Sequence, residues 1–153
     1  MENIKIRPAT TADLDTLYRF EQGVITAERP FDSTLKPDPL HYYDIPAMIA
    51  SPDIELAVAE QNNTLLGSGY ARIEPSKPYN IHPLHAYLGF MYVDPAHRGK
   101  GINTLIIEYL HQWAKSRGIT ELRLDVYHHN TSAIRAYEKA GFIPHMLHMR
   151  KPV

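Results

Sequence analysis

The stretch Arg98-Gly99-Lys100-Gly101 combines two glycines with two cations, directly before residues whose apolar side chains recur at helical spacing. The first backbone N–H groups of a helix have no partner within the helix, and the helix dipole favours negative charge there. Glycine lets the backbone approach a ligand closely, and the two cations add positive charge. The stretch therefore predicts a site for a phosphate or pyrophosphate; a tight turn with two solvated cations is the alternative.

Several other chemistries are excluded. The P-loop pattern GxxxxGK[ST] does not occur, and the glycine spacing of a dinucleotide-binding fold is incomplete. With no cysteine in the chain, disulfides, thiolate metal sites and a cysteine nucleophile are all ruled out. The pairs His82/His85 and His145/His148 have an H-x-x-H spacing, but neither has an acidic partner at a zinc-site spacing, so we expect no metal.

Composition predicts one domain over residues 1–153. No apolar run approaches the roughly 18 residues of a spanning helix, and the amino terminus shows no signal-peptide pattern, so we expect a cytoplasmic protein without a membrane partner. A net charge of −1 argues against a nucleic-acid partner.

The charge is unevenly distributed. Residues 1–60 contain 11 acidic and 5 basic residues (−6), and residues 61–153 contain 6 acidic and 11 basic residues (+5). An acidic side that attracts a cation and a basic side that attracts an anion would produce this division. Ordinary helix caps and solvated faces would produce it equally well.

The elements that must position these residues follow from periodicity and from Gly/Pro signals. The pattern predicts the order β-α-α-β-β-β-α-β-α-β, a mixed α/β domain with a helical crossover between the fourth and fifth strands. The expected ranges are a strand at 4–8, a helix capped by Thr10 or Thr11, a helix at 42–50, a hairpin turning at Asn62–Asn63, a buried strand at 85–93, a helix at 102–117, a strand at 121–127, a helix at 131–140 and a final strand at 141–150.

Two motifs then carry a resemblance. VDPAHRGKGIN resembles the acyl-CoA-binding motif of the GNAT superfamily of N-acetyltransferases, Arg/Gln-x-x-Gly-x-Gly/Ala, which Arg98 and Gly101 match. Asn103 stands where Gly or Ala is usual, and its amide can itself donate to phosphate. Downstream, Asn130-x-x-Ala133-x-x-x-Tyr137-x-x-x-Gly141-Phe142 resembles the second motif of the family.

The resemblance implies a single-domain GNAT-like mixed sheet with a splayed central strand pair, flanked by helices, and acetyl-CoA as the cofactor. Backbone groups of Met91 and Val93 would bind the pantetheine arm, and the Met91 or Tyr92 amide would polarise the thioester carbonyl. The implied cofactor contacts are completed by Arg98, Gly99, Lys100, Gly101, Ile102, Asn103, Thr104, Asn130, Ala133 and Tyr137.

Tyr137 is the residue expected to carry chemistry, because a phenol with a pKa near 10 keeps its proton at neutral pH and can give it to a departing thiolate. Packing of a short helix onto the sheet is its alternative role. The base is less evident, since many family members carry a glutamate where this chain has Tyr87. Glu74 and His85 are the candidate bases, and His82 is a further neighbour.

The acceptor is expected to contact the segment AERPFDSTL and the helix after it. Arg29 could hold a carboxylate, whereas Glu28, Asp32 and Asp44 could attract an amine; Phe31 and Tyr87 complete the expected acceptor site. The function implied is transfer of an acetyl group from acetyl-CoA to a primary amine of a small molecule, amino acid or peptide, by direct attack in a ternary complex. The alternative is a catalytically silent acyl-CoA-binding module, and a homodimer is compatible with either.

Overall fold

The computed structural model describes residues 3–153 and contains a five-stranded mixed sheet. Strands β1 to β4 pair antiparallel in sequence order, and β5 pairs parallel to β4. A parallel neighbour requires a crossover connection, which a helix provides here. The predicted mixed α/β class is confirmed. The strands are β1 (Lys5–Pro8), β2 (Ile54–Gln61), β3 (Thr64–Pro75), β4 (Leu84–Val93) and β5 (Leu122–Arg123).

The hairpin between β2 and β3 turns at the two predicted residues. Asn62 and Asn63 have φ values of 51° and 63°, the left-handed conformation that a two-residue type I′ turn requires. The turn sets the register in which Gln61 faces Thr64. On its other side, β3 pairs antiparallel with β4.

The α-helices among residues 3–153 are α1 (Leu14–Glu28), α2 (Ile45–Ala50), α3 (Ile102–Ser116) and α4 (Thr131–Lys139), of which α1, α2 and α3 pack against the sheet. The entry to α1 is a short 3-10 turn, Thr11–Asp13, in which Asp13 accepts a hydrogen bond of 2.8 Å from the Thr10 backbone N–H. Gly118, with φ of 75°, follows the end of α3 as its C-cap signal predicts. Among residues 3–153, no helix is both long and apolar enough to cross a membrane.

The sheet has an apolar core on each face. One core packs α3 against the sheet, and the other packs α1 and α2 against the opposite face. Leu88 of β4 contributes to the first core and Phe90 to the second, so β4 is buried on both faces as predicted. Sandwiched in this way, β4 holds its backbone in a fixed position between the helices.

Strands β4 and β5 separate soon after they meet. In the part of the chain that the structure describes, only Ala86 with Leu122 and Tyr87 with Arg123 pair between them, so no described strand lies beside β4 on that side from Leu88 to Val93. The predicted strand at 121–127 is therefore reduced to two residues. The splayed central strand pair that the motifs implied is confirmed.

The predicted final strand at 141–150 is wrong. Residues 142–153 have no regular secondary structure, and the side chains of Ile143, Met146 and Met149 are exposed. A two-residue β5 offers almost no edge for a further strand, and Pro144 has no N–H to donate. Arg150 instead binds the Asp32 carboxylate and the Thr34 hydroxyl.

The second helix begins at Ile45 rather than at Tyr42. Asp44 is its N-cap and accepts a hydrogen bond of 3.2 Å from the Ala47 N–H, and Pro46 occupies the first turn. The preceding backbone N–H groups, of Tyr42 and Tyr43, are bound by a carboxylate of α1. Those bonds hold residues 42 and 43 in an extended connection.

Candidate active site

A bulge lies in β4 at the point where it leaves β5. Phe90 has a φ of 53°, and the β3–β4 register shifts there, so that Phe90 and Met91 both lie opposite Gly69. The buried Ser68 hydroxyl donates a 3.0 Å hydrogen bond to the Phe90 carbonyl and fixes the bulge from β3. Beyond it, the backbone of Met91 to Val93 faces the gap between the diverging strands.

The chain passes from β4 into α3 through the glycine-rich turn. Gly99 and Gly101 have φ values of 78° and 79°, a conformation that side chains disfavour. Leu105 makes the first backbone hydrogen bond within the helix, to the Gly101 carbonyl, and the first turn holds no acidic residue. The backbone N–H groups of α3 therefore open onto the turn, next to the end of β4.

The two cations of the turn are placed differently. The Arg98 Nε donates a 3.0 Å hydrogen bond to the Val93 carbonyl, and its guanidinium lies 5.8 Å from the centre of the Tyr92 ring. Arg98 thus connects the turn to β4. Its hydrogen bond uses the backbone carbonyl of Val93, which was predicted to bind the pantetheine arm. Lys100 is exposed, with its Nζ 3.5 Å from His97 Nδ1.

Helix α4 presents Asn130 and Tyr137. The Asn130 Oδ1 accepts a 3.3 Å hydrogen bond from the Ala133 N–H, so this side chain caps the helix, which leaves its amide N–H₂ to donate elsewhere. The Tyr137 ring packs edge-on against Phe142, with 5.9 Å between ring centres. Burial raises the pKa of Tyr137, and the nearby Glu28 charge adds to the rise, so the phenol is protonated at neutral pH.

Asp32 accepts hydrogen bonds from a neighbour in its own loop and from two residues far away in the sequence. Its Oδ1 accepts hydrogen bonds from Thr34 and from Arg150, and its Oδ2 accepts a 3.2 Å bond from the Tyr127 hydroxyl. The hydrogen bonds from Thr34, with smaller contributions from Arg150 and Tyr127, hold the pKa of Asp32 well below its usual range. The Phe31 ring stacks on Tyr127 with 6.0 Å between centres. Phe31 and Asp32, two residues expected to contact the acceptor, therefore both contact Tyr127, which follows β5.

Comparison with known proteins decides which family this geometry belongs to. The model of the acetyltransferase (GNAT) family matches residues 21–142. The chain belongs to the GNAT acetyltransferase family. The resemblance predicted from the two motifs is confirmed.

The relatives place this GNAT chain among diverse acetyltransferases. An IAA acetyltransferase from Azospirillum brasilense is 28% identical over 102 residues, which are 67% of this chain and 62% of that protein. The chain spans less than two thirds of the length of the curated relatives it matches, down to 23% for one Bacillus subtilis protein.

Two solved structures share the fold. The BH1408 protein of Bacillus halodurans, as a tetramutant, has a TM-score of 0.85 and 24% identity, covering 97% of this chain and 99% of that one. A predicted acetyltransferase from Clostridium acetobutylicum, solved with acetyl-CoA, has a TM-score of 0.74 and 23% identity, with 96% of each chain covered.

Sequence reasoning missed a buried carboxylate in this GNAT chain. Glu21 is fully buried in α1 and accepts hydrogen bonds of 2.8 Å from the N–H groups of both Tyr42 and Tyr43. His41 Nδ1 lies 2.9 Å from the other carboxylate oxygen. Glu21 therefore positions the two tyrosines that precede α2. An acidic residue within the apolar face of α1 is the signal that could have revealed it.

Glu28, at the carboxyl end of α1, was only one of several acids that could attract an amine. Burial raises the pKa of its carboxyl, the Asp32 charge raises it further, and the Tyr42 hydroxyl partly offsets both. The Glu28 charge in turn raises the pKa of tyrosines from three parts of the chain: Tyr42, Tyr43, Tyr127 and Tyr137. No local sequence pattern predicts that these four tyrosines lie within range of the Glu28 charge.

The two candidate bases lie together, but at the far end of the strands. Glu74 faces His85 across β3 and β4, and Glu74 Oε1 is 3.3 Å from His85 Nε2. The buried His85 also contacts the Ser76 hydroxyl through Nδ1, at 2.8 Å. Six residues of strand separate His85 from Met91, which is about 20 Å at 3.3 Å per residue. Glu74 and His85 are therefore bound to each other at a distance from the bulge.

The remaining predicted residues have partners of their own. The Tyr87 hydroxyl donates a 3.1 Å hydrogen bond to Asp125, and burial raises its pKa. Arg29 binds the Lys36 carbonyl and the Asp38 carboxylate, both at 2.9 Å, and so bridges its own loop. Within residues 3–153, no group of three or more histidine, aspartate and glutamate residues could hold a metal ion.

Proposed function

We propose that this protein is an acetyl-CoA-dependent N-acetyltransferase whose acceptor is a primary amine, attacked directly in a ternary complex. One observation carries the proposal: after the Phe90 bulge, the unpaired edge of β4 leads through the glycine-rich turn to the open N-terminus of α3. An extended pantetheine arm and a pyrophosphate require such an edge and such a helix start in that order.

The residues at the turn fit the pyrophosphate of acetyl-CoA. The N–H groups of Ile102, Asn103 and Thr104 precede the first helical hydrogen bond and can donate to phosphate oxygens. A Cβ added at Gly99 would meet no atom within 4 Å, so this glycine serves backbone conformation and an open approach. Lys100 adds an exposed positive charge.

Acetyl-CoA supplies an acetyl group activated as a thioester. Around that group, the Met91 or Tyr92 N–H would donate to the carbonyl oxygen as negative charge develops on it. The Asn130 amide would donate to the pantetheine arm while its oxygen caps α4. Tyr137 would hold the proton that the departing sulfur needs, because its raised pKa keeps the phenol protonated.

A primary amine fits the charge of the acceptor side. Residues 1–60 carry a net charge of −6, and α1 and its following loop bring Glu28 and Asp32 to the neighbourhood of Tyr137 and Tyr127. The chain has no cysteine that could take up the acetyl group first. Direct attack by the amine is therefore the simplest route.

The test is release of free CoA thiol from acetyl-CoA over a panel of primary amines, each paired with the alcohol of the same carbon skeleton. We expect turnover with amines that the matched alcohols do not support. Binding of acetyl-CoA without turnover on any amine would contradict the proposal. It would favour the alternative, a catalytically silent acyl-CoA-binding module, which the tyrosine at position 87 of β4 independently supports.

A further inference from the structure

Of the acids expected to attract an amine, Glu28 and Asp44 have no cationic partner in an ion pair among residues 3–153, and the Asp44 carboxylate already caps α2. The two arginines of this region are already engaged, Arg29 with Asp38 at 2.9 Å and Arg150 with Asp32 at 3.2 Å. The Glu28 side chain is half-buried, and burial is the largest cause of its raised pKa. A partly desolvated carboxylate without a cationic partner is unfavourable for the fold, which marks it for function.

The groups on which the Glu28 charge acts are mainly tyrosine side chains. Its charge acts on tyrosines that come from the connection before α2, from the segment after β5 and from α4. The Tyr42 hydroxyl is buried and forms no hydrogen bond of good geometry among residues 3–153, yet it influences the Glu28 pKa and so lies beside that carboxylate. Aromatic rings and hydroxyls near one carboxylate are groups that attract an ammonium ion.

This group also lies close to the reacting end of β4. The Tyr43 ring stacks on Phe90, the bulge residue, with 4.6 Å between ring centres. The Glu28 charge raises the pKa of both Tyr43 and Tyr137, so the carboxylate is within electrostatic range of the residue stacked on the bulge and of the proposed proton donor. An ammonium bound by Glu28 is thus held near the place where the β4 amides receive the thioester carbonyl.

We propose that Glu28 binds the ammonium group of the acceptor and removes its proton before attack, which makes it the general base of the reaction. The assignment rests on the proposed function. One proton passes from the ammonium to a Glu28 oxygen, and the neutral nitrogen then forms the C–N bond while the C–S bond breaks. Tyr137 gives its proton to the sulfur and regains one from the new amide nitrogen. Glu28 finally releases its proton to water.

The position of Glu28 also narrows the substrate class. An α-amino acid carries a carboxylate next to its ammonium, and that carboxylate would lie close to Glu28 and to Asp32. Like charges at such a separation repel each other, most strongly where water is excluded. The preferred acceptor is therefore a primary alkylammonium with no neighbouring carboxylate. Phenethylamine should be acetylated faster than phenylalanine, and tyramine faster than tyrosine.

Other charged groups facing Glu28 enter the pH argument. They are the tyrosines at 42, 43, 127 and 137, whose pKa values all lie above their usual range, and the paired groups Asp32, Arg150, Arg29 and Asp38. The raised pKa values of the four tyrosines and the lowered pKa of Asp32 keep these five groups from changing charge between about pH 6 and 8. Glu28 is thus the group whose loss should alter the pH dependence in this range.

The experiment compares kcat/KM from pH 6 to 8 for the fastest amine of the panel, with wild type, Glu28→Gln, Glu28→Asp and the control Glu108→Gln. Glu108 is exposed on α3, so its replacement removes the same charge far from the tyrosines. Wild type and control should be nearly independent of pH, because Glu28 can take the proton of the protonated amine, which is the predominant form in this range. Glu28→Gln can use only neutral amine, so its kcat/KM should rise about tenfold per pH unit, or about 100-fold over the range. Glu28→Asp should restore part of the flat profile.

A binding measurement supplies a readout without acetyl-CoA. Ligand-detected NMR with n-butylamine and n-butanol at pH 7 should show amine binding to wild type and to Glu108→Gln, and weaker amine binding to Glu28→Gln. Equal binding of n-butylamine to all three would overturn the assignment. So would a Glu28→Gln profile as flat as that of wild type. Wild type that acetylates no amine would instead refute the proposed function itself.

Discussion

Replacement of Tyr137 by phenylalanine tests whether its phenol protonates the departing thiolate. Burial and the Glu28 charge place the Tyr137 pKa above the ordinary value of about 10, whereas a thiol such as that of CoA has a pKa of about 8.5. Transfer of the proton is therefore uphill by at least about 2 kcal/mol at 1.36 kcal/mol per unit. A weak acid gives limited help, so we expect the lower end of the general-acid range.

The expected loss in kcat is about 10²-fold for Tyr137→Phe, or about 2.7 kcal/mol in the barrier. Acetyl-CoA affinity should change little, because phenylalanine keeps the ring that packs edge-on against Phe142. The defect should shrink with an acetyl thioester of a more acidic thiol, which leaves with less protonation. At high pH, wild type should lose activity only above about pH 10, and the variant should lack this alkaline limb.

Thiol-capture kinetics at saturating amine and acetyl-CoA measure these effects directly. Tyr79→Phe is the matched control, because Tyr79 is 79% exposed in the loop before β4. Wild-type turnover in Tyr137→Phe would refute the catalytic role and leave packing against Phe142 as the function of the residue. A loss that stays equal for acidic and ordinary thiols would show that the phenol orients the substrate rather than donating a proton.

Three further predictions concern the anion site, the acidic side and Glu28. Lys100→Ala should weaken acetyl-CoA binding about fivefold in calorimetry, as expected for the loss of one charged contact. The control Lys115→Ala, at the other end of α3, should leave the affinity unchanged. Equal losses in the two variants would show that the overall charge of the protein, and not a contact of Lys100, affects binding. For the best amine, kcat/KM should fall as salt is added, and an anionic acceptor such as glutamate proving best would contradict the acidic acceptor side. Glu28→Gln should melt at a higher temperature than wild type at pH 7. A carboxyl with a raised pKa stabilises the fold only below its unfolded pKa, and that contribution is lost as pH rises through the folded value. The difference should therefore disappear below about pH 4, and a lower melting temperature at pH 7 would refute it.

The parts of the structure that the sequence predicts well are those determined by neighbouring residues. The Asn62–Asn63 turn and the glycines at 99 and 101 require conformations that few other residues adopt, so their positions could be read directly. Helix α3 follows from its apolar spacing and its C-terminal glycine. The predicted pyrophosphate site at the start of α3 is built from these local features, which explains why the sequence motifs indicated it.

The errors lie where distant segments decide the outcome. Whether 121–127 forms a strand depends on how long β4 stays beside it, and the bulge at Phe90 ends that contact early. With β5 reduced to two residues, the segment after Gly141 has no edge to join. The prediction of a final strand used only the apolar pattern of that segment, which contains no information about its partner.

Two carboxylates of α1 also show that the sequence pattern cannot predict which distant residues a side chain will contact. Glu21 and Glu28 are seven residues apart in α1, which places them on the same face two turns from each other. The helical period therefore predicts that both point inward, and it cannot distinguish them. Glu21 receives two backbone N–H groups and a histidine, which satisfy its charge and fix the tyrosines before α2. The Glu28 charge acts on four tyrosines and has no cationic partner in an ion pair among residues 3–153. In the mechanism we propose, the ammonium group of the acceptor supplies that partner.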